Sequence, residues 1–279
     1  MVAYINGEFI PFEKASLHVS DLAIQRGYGV FDFLKVVDGH PFFLQQYLDR
    51  FFNSAAVMRL EIPLSRSELI KVLFGLIERN KLSSSGIKMI LTGGYSPDGY
   101  VPARPNLIIT QHDLVLPEKR TVEQGVSIIT HEYVRDIPEA KTINYSVGIW
   151  LIEKVKAANA YDVLYHSGNK VSEFPRSNFF IVRRDNTVVT PSENILKGIT
   201  RQNVLHLASK YFRAAEATVT LEDVLSSKEA FITSTTKRIL PVVQVDGRTI
   251  GSGQPGEVSV ALLERLVELE TADKGVKHK

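Results

Sequence analysis

A chain of 279 residues with 44% hydrophobic and 23% charged side chains is long enough for a sizeable core divided between two domains of ordinary size. Its 33 basic and 31 acidic side chains leave a formal charge of +2, too weak a field to favour a nucleic acid or an anionic membrane as partner. Cysteine is absent, which excludes disulfides and thiolate metal sites, and no metal centre is expected. The opening residues carry an acid and a turn signal where a signal peptide needs an apolar run, and no run of about 18 apolar residues occurs, so a soluble, cytoplasmic protein is expected.

Taken in chain order, Asn6-Gly7 and Asp38-Gly39 sit between apolar runs and signal tight type I′ turns, so residues 2–12 and 31–43 read as hairpins. Leu44, Leu48, Phe51, Ala55 and Met58 recur at spacings of three and four, the stripe of an amphipathic helix over 44–59. Ser65 and Glu68 form a capping-box pattern opening a second helix over 65–80. Strands are expected at 87–93 and 106–112, with the Gly/Pro-rich stretch 94–102 as a loop between them. The periodicity lapses near 116–121, which divides the chain into an N-terminal α/β domain, 1–118, and a C-terminal α/β domain, 119–279. The second domain should hold strands at 126–130, 162–165, 178–184, 187–190, 230–234 and 242–245, and helices at 147–158, 200–211 and 257–270. A polar, frayed tail is expected over 272–279.

Five short motifs stand in order on this frame: Tyr47-Leu48-Asp49-Arg50, Lys141-Thr142-Ile143-Asn144-Tyr145, Ser172-Glu173-Phe174-Pro175-Arg176-Ser177-Asn178-Phe179-Phe180, Leu196-Lys197-Gly198-Ile199-Thr200-Arg201 and Phe231-Ile232-Thr233-Ser234-Thr235-Thr236. Together with the Asn-Gly hairpin and the segment Arg26-Gly27-Tyr28-Gly29-Val30-Phe31, they make the chain resemble the class IV pyridoxal-phosphate aminotransferases over nearly its whole length. The resemblance implies a two-domain α/β (α+β) subunit of fold type IV with pyridoxal 5′-phosphate at the domain interface. It also implies a homodimer whose partner loops complete the active site.

That cofactor gives each motif a task. A lysine must hold it covalently and shuttle a proton, with its amine partly deprotonated near neutral pH. Lys141 lies after the irregular stretch 136–140 and before a helix, and in its motif it is expected to be that lysine rather than a solvated surface residue; the boundary at 118/119 puts it in the C-terminal domain. A carboxylate must face the pyridine nitrogen so that the ring withdraws electrons, and the resemblance assigns this to Glu173. A helix N-terminus binds phosphate through its orphan N–H groups, which suits Gly198-Ile199-Thr200, with the Ile199 and Thr200 amides and the Thr200 hydroxyl as donors. Thr200 reads equally as an ordinary cap. By the resemblance, Ser234 and Thr235 add hydroxyls to the phosphate, Arg50 adds charge, and Ser177 and Asn178 belong to the cofactor-binding set. Tyr145 reads as a ligand of the phenolic oxygen or as a core tyrosine.

The substrates implied are a 2-oxo acid such as 2-oxoglutarate and an amino acid, either a branched-chain L-amino acid or a D-amino acid. Elimination by an aminodeoxychorismate lyase is the alternative on the same lysine. Members similar to the D-amino-acid enzymes carry Arg-x-His in the loop that here reads Ser96-Pro97-Asp98-Gly99-Tyr100, and Asp98 has the wrong charge to hold a carboxylate. Branched-chain members put a tyrosine and an arginine on the preceding strand, where this chain has Gly86-Ile87-Lys88; lysine keeps the charge without the bidentate fork. A carboxylate entering a closed site must meet a cation. Arg26 and Lys88 are the candidates, set against a dimer-interface role for Arg26 and a solvent-facing one for Lys88, and Phe31 and Thr236 are expected to line the substrate pocket.

Overall fold

The structure is a computed structural model that describes residues 1–274, and the chain divides into two compact units. Among the described residues, the first comprises residues 1–115 together with Glu139–Asn144, and the second comprises Leu116–Pro138 and residues 145–274.

In the first unit, strands β1 (Val2–Ile5) and β2 (Glu8–Pro11) turn at Asn6-Gly7, both with positive φ, 49° and 111°. A short helix α1 (Leu22–Arg26) follows, then the hairpin β3 (Gly29–Val37) and β4 (His40–Pro41), turning through Asp38 and Gly39 at φ 49° and 78° as the Asp-Gly signal requires. Helix α2 (Leu44–Val57) buries Leu44, Leu48, Phe51 and Ala55 on the expected stripe. Helix α3 (Arg66–Asn80) is opened by the Ser65/Glu68 capping box. Strands β5 (Ser84–Thr92) and β6 (Leu107–Asp113) complete an antiparallel sheet of order β2-β1-β6-β5-β3-β4. On β3 the strand period buries Val30, Asp32, Leu34 and Val36 on the side of α2, which leaves Phe31 and Phe33 on the other face.

The second unit runs α4 (Lys119–Gln124), β7 (Val126–Glu132), α5 (Ser146–Trp150), α6 (Ile152–Ala157), β8 (Asp162–Ser167), β9 (Lys170–Val171), β10 (Glu173–Phe174), β11 (Ser177–Val182), β12 (Val188–Pro191), α7 (Ile199–Tyr211), β13 (Ala214–Ala217), α8 (Leu221–Ser226), β14 (Glu229–Ser234), β15 (Arg238–Val245), β16 (Arg248–Thr249) and α9 (Glu257–Lys274). Its sheet has the order β13-β12-β11-β14-β15-β7-β8-β9, with β10 added to β11 and β16 to β15. One face carries Phe174, Phe179, Ile181, Ile232 and Leu240. The other carries Phe180 and Phe231, stacked at 4.9 Å, under Val204 and Leu207 of α7 and Leu262 and Leu266 of α9.

Three expectations need correction. The helix expected over 147–158 is two, because the backbone relaxes at Leu151 to φ −78° and ψ −7°, although Val147, Leu151 and Val155 keep one stripe against Ile129, Val163 and Tyr165. Residues 272–274 continue α9 rather than fraying, and the rest of the expected tail lies outside the described residues. Lys141 groups with the first unit rather than with the C-terminal part of the chain. The reason is local: Phe31 N–H donates to Lys141 O (2.9 Å), Ile143 N–H donates to Gly29 O (3.1 Å), and Val30 and Thr142 form an antiparallel bridge.

That docking depends on Gly29. A Cβ there would lie 2.7 Å from Leu91 O and 3.1 Å from Ile143 Cδ1, and backbone cannot give way cheaply. Gly29→Ala should therefore destabilise the chain by about 1–3 kcal/mol, read as a thermal midpoint lowered by several degrees. A midpoint equal to the parent's would show that Leu91 of β5 and Ile143 do not approach Gly29 this closely.

Candidate active site

Lys141 is held through its backbone. Its N–H donates to Ser54 Oγ (3.1 Å), a fully buried hydroxyl on α2, while its carbonyl accepts from Phe31. Its ammonium lies 4.6 Å from the centroid of the Phe31 ring. Lys88 lies 5.0 Å from the same centroid, because β5 pairs Lys88 with Phe33 and Ile90 with Phe31, which places Lys88 on the Phe31 face. Phe31, Lys88 and Lys141 thus form one group. Lys88 has no hydrogen bond or ion pair among the described residues.

The neighbouring charges of the first unit lie elsewhere. Arg50 Nε and Nη2 grip the two Asp32 oxygens at 2.8 and 2.6 Å, a bidentate pair on the α2 side of β3. Arg26 is exposed at the end of α1, donates to Gln25 O (2.9 Å), and takes no part in the Phe31 group. Asp98 caps its own loop: the N–H groups of Val101 (2.8 Å) and Tyr100 (2.9 Å) and the Ser96 hydroxyl (3.1 Å) donate to Oδ1. The Val101 amide above all holds its carboxyl below the usual range, so this loop presents an anion where a carboxylate-binding loop needs a cation.

The second unit gathers the remaining residues. Glu173 is buried, and Arg135 Nε donates to its Oε1 at 2.8 Å while Asn178 Nδ2 (3.2 Å) and Leu196 N–H (2.9 Å) donate to Oε2. Arg135 is itself oriented by Pro138 O (2.7 Å), and Asn178 also donates to Leu196 O (2.7 Å). A cationic donor together with amide donors makes the surroundings of an ionised carboxylate. Arg135 stands in an irregular segment with no periodic or motif signal, whereas Leu196 opens a motif but acts through its backbone, so its side chain gave no sign of this contact.

Pyridoxal phosphate is an anion, and the unit offers it a cradle. Helix α7 starts at Gly198 with no side-chain cap, so the first N–H groups, those of Ile199 and Thr200, lack an intrahelical acceptor. A side chain at Gly198 would run into Asn178 Oδ1. Asn178 and Thr233 are cross-strand partners on the face that α7 covers, and Thr233 Oγ1 is a buried hydroxyl without a hydrogen-bond partner. Ser234, Thr235 and Thr236 follow it, half-buried, in the turn between β14 and β15. An uncapped helix start, a close glycine and an orphaned buried hydroxyl beside a run of hydroxyls fit a phosphate group. Ser177 is buried at the start of β11, and Tyr145 is half-buried at the N-cap of α5. Arg201 is a structural residue, fully buried and bonded to Thr190 Oγ1 (3.2 Å), Pro191 O (2.9 Å) and Glu216 Oε1 (2.5 Å), which ties the first turn of α7 to β12 and β13.

Residues 29–245 match the family model described as amino-transferase class IV. A protein of Methanocaldococcus jannaschii, provisionally named a branched-chain-amino-acid aminotransferase, is 32% identical over 286 residues, covering 97% of this chain and 97% of its own. A D-alanine aminotransferase of Listeria monocytogenes is 30% identical over 278 residues, 96% of each chain. Among solved structures, a T.th. branched-chain amino acid aminotransferase with pyridoxamine 5′-phosphate superposes with a TM-score of 0.89 at 26% identity, covering 98% of this chain and 94% of that one.

The Arg135–Glu173 pair yields a stability test. Arg135→Met removes the cation bonded to a buried carboxylate, which should cost about 3 kcal/mol or more. Thermal unfolding of the cofactor-free chain measures it. An unchanged midpoint would mean that Glu173 does not rely on Arg135.

Proposed function

The chain belongs to the class IV aminotransferase family and catalyses pyridoxal-phosphate-dependent transamination; within that reaction we propose that Lys141 holds the cofactor, Glu173 supports its ring nitrogen, and Lys88 receives the substrate carboxylate. When bound, the cofactor supplies the electron sink that makes a Cα proton removable. Lys141 holds it through Nζ and moves that proton. Its fixed backbone and its position over Phe31 support this role. Glu173, kept anionic by Arg135, Asn178 and Leu196, stabilises a proton on the ring nitrogen. The phosphate falls to the Ile199 and Thr200 amides, the hydroxyls of Thr200, Ser234 and Thr235, and Arg50 as aimed by Asp32. Ser177 and Asn178 complete the set, Tyr145 serves the phenolic oxygen, and Phe31 and Thr236 line the substrate pocket.

The donor is an amino acid of the kinds named for the relatives, a branched-chain L-amino acid or a D-amino acid, and the acceptor is a 2-oxo acid such as 2-oxoglutarate. The observation that carries the carboxylate assignment is the ring shared by Lys141 and Lys88, with Lys88 lacking any anionic partner among the described residues. An unpaired ammonium on a half-buried strand is costly, and a substrate carboxylate relieves it. The relatives lend the lyase alternative no support. No helix among the described residues is long and apolar enough to cross a membrane. A cytoplasmic setting belongs to the proposal and rests on small, soluble substrates. So does a homodimer, supported by Ile149, Trp150 and Ile152 on the consecutive helices α5 and α6, exposed to 64%, 73% and 43%. We place the exposed Arg26 with that dimer contact.

Two measurements bear on these proposals. Lys88→Ala should raise KM for an amino-acid donor about tenfold or more, the loss of roughly 1.4 kcal/mol or more of ion pairing. It should leave a primary amine without a carboxylate unaffected. Equal losses for the two donors would remove Lys88 from the carboxylate site. Sedimentation equilibrium at micromolar concentration should return twice the chain mass, and a single-chain mass would contradict the dimer.

A further inference from the structure

Beneath the turn between β14 and β15 lies a buried cluster to which the transamination chemistry gives no task. Lys237 is 8% exposed, and its Nζ donates to Ser177 Oγ at 3.0 Å, lies 3.9 Å from Asp162 Oδ2, and sits 5.8 Å from the centroid of Tyr161. Burial pushes Lys237 down from the usual ammonium range and Asp162 up from the usual carboxylate range, each partly offset by the other's charge. Asp162 is otherwise satisfied on one oxygen, where Val163 N–H donates to Oδ1 at 2.9 Å. A lysine brought into the interior with one counter-charge, at a distance longer than a hydrogen bond, adds little stability by itself.

What Lys237 does hold in place is a pair of hydroxyls. Its ammonium donates to Ser177 Oγ, and its backbone N–H donates to Ser234 Oγ at 3.1 Å. A hydroxyl that accepts a hydrogen bond turns its own proton elsewhere. Among the described residues neither serine donates to any protein acceptor, although Ser177 is 7% exposed. Ser177 directly precedes Asn178, the partner of Glu173, and Ser234 directly follows the orphaned Thr233 hydroxyl. One residue therefore sets the donor direction of two hydroxyls on two separate hairpins of the second unit.

We propose that Lys237 is a positioning residue for cofactor binding, which presents the Ser177 and Ser234 hydroxyls as donors to anionic oxygens of pyridoxal phosphate. The assignment rests on the reading of those serines as cofactor ligands. Lys237 touches no substrate; it acts through the serines, and Asp162 keeps its charge tolerable in the interior.

Binding of pyridoxal phosphate to the cofactor-free chain, measured by equilibrium dialysis alongside thermal unfolding, tests it. Lys237→Met should weaken binding about tenfold, the worth of one charge-assisted hydrogen bond, and should lower the thermal midpoint because Asp162 is stranded. Lys237→Met combined with Asp162→Asn removes both charges, so the midpoint should recover while the affinity stays about tenfold down. Ser177→Ala, which leaves the ion pair intact, should weaken binding by a similar factor. A double variant that regains the parent's affinity together with its midpoint, or an unchanged affinity in Ser177→Ala, overturns the proposal, since Lys237 would then be only a counter-ion. A parent chain that fails to take up the cofactor overturns the reading of the serines as well, whereas a parent that binds beside an unaffected double variant overturns this inference alone.

Discussion

Residues 141–143 are fixed against β3 and α2 by hydrogen bonds from Phe31 to Lys141, from Lys141 to Ser54 and from Ile143 to Gly29. Each is worth about 0.5–1.5 kcal/mol net. Their larger effect is geometric. They put the Cα of Lys141 at one place on one face of the sheet, and the period of two on β3 decides what that face holds. Asp32 is turned inward to grip Arg50, so Phe31 must point the other way, under the ammonium of Lys141. A lysine on a free loop would have to find that position at an entropic cost.

The charged groups of the candidate site are handled in three ways, and the difference separates scaffold from chemistry. Asp32 with Arg50 and Glu173 with Arg135 are buried pairs at hydrogen-bond distance, each oriented by further donors or acceptors. Such pairs add little to stability but fix direction, which is what a carboxylate aimed at a ring nitrogen requires. Lys237 and Asp162 stand 3.9 Å apart, too far for a direct hydrogen bond, and the ammonium is spent on a hydroxyl instead. Lys88 has no anionic partner among the described residues, the arrangement expected when the partner is a ligand.

Much of the scaffold was legible in the sequence because its signals are local. The Asn6-Gly7 and Asp38-Gly39 turns, the α2 stripe and the Ser65/Glu68 capping box each depend on residues within a few positions of one another. The expected helix over 147–158 is interrupted at Leu151 by a local change of ψ to −7°, which periodicity cannot register because Val147, Leu151 and Val155 stay on one stripe. Lys141, Glu173, Ser234 and Thr235 were named from motifs, yet the unit that holds Lys141 was not, since a strand-like bridge between residues 30 and 142 is a long-range pairing. Arg135 and Lys237 carried no signal because each acts on a residue brought near only by the fold. Lys237 reaches Ser177 across 60 positions of sequence, and Arg135 reaches Glu173 across 38.

Of the chain's lysines, Lys141, Lys88 and Lys237 lie within the groupings described, and only one of them can hold the cofactor. Borohydride reduction of the cofactor-loaded protein, followed by proteolysis and mass measurement of the peptides, identifies which amine carries the pyridoxyl group. A single modified peptide is expected, with the group on Lys141. A pyridoxyl group found instead on Lys88 or Lys237, with Lys141 unmodified, would contradict the assignment.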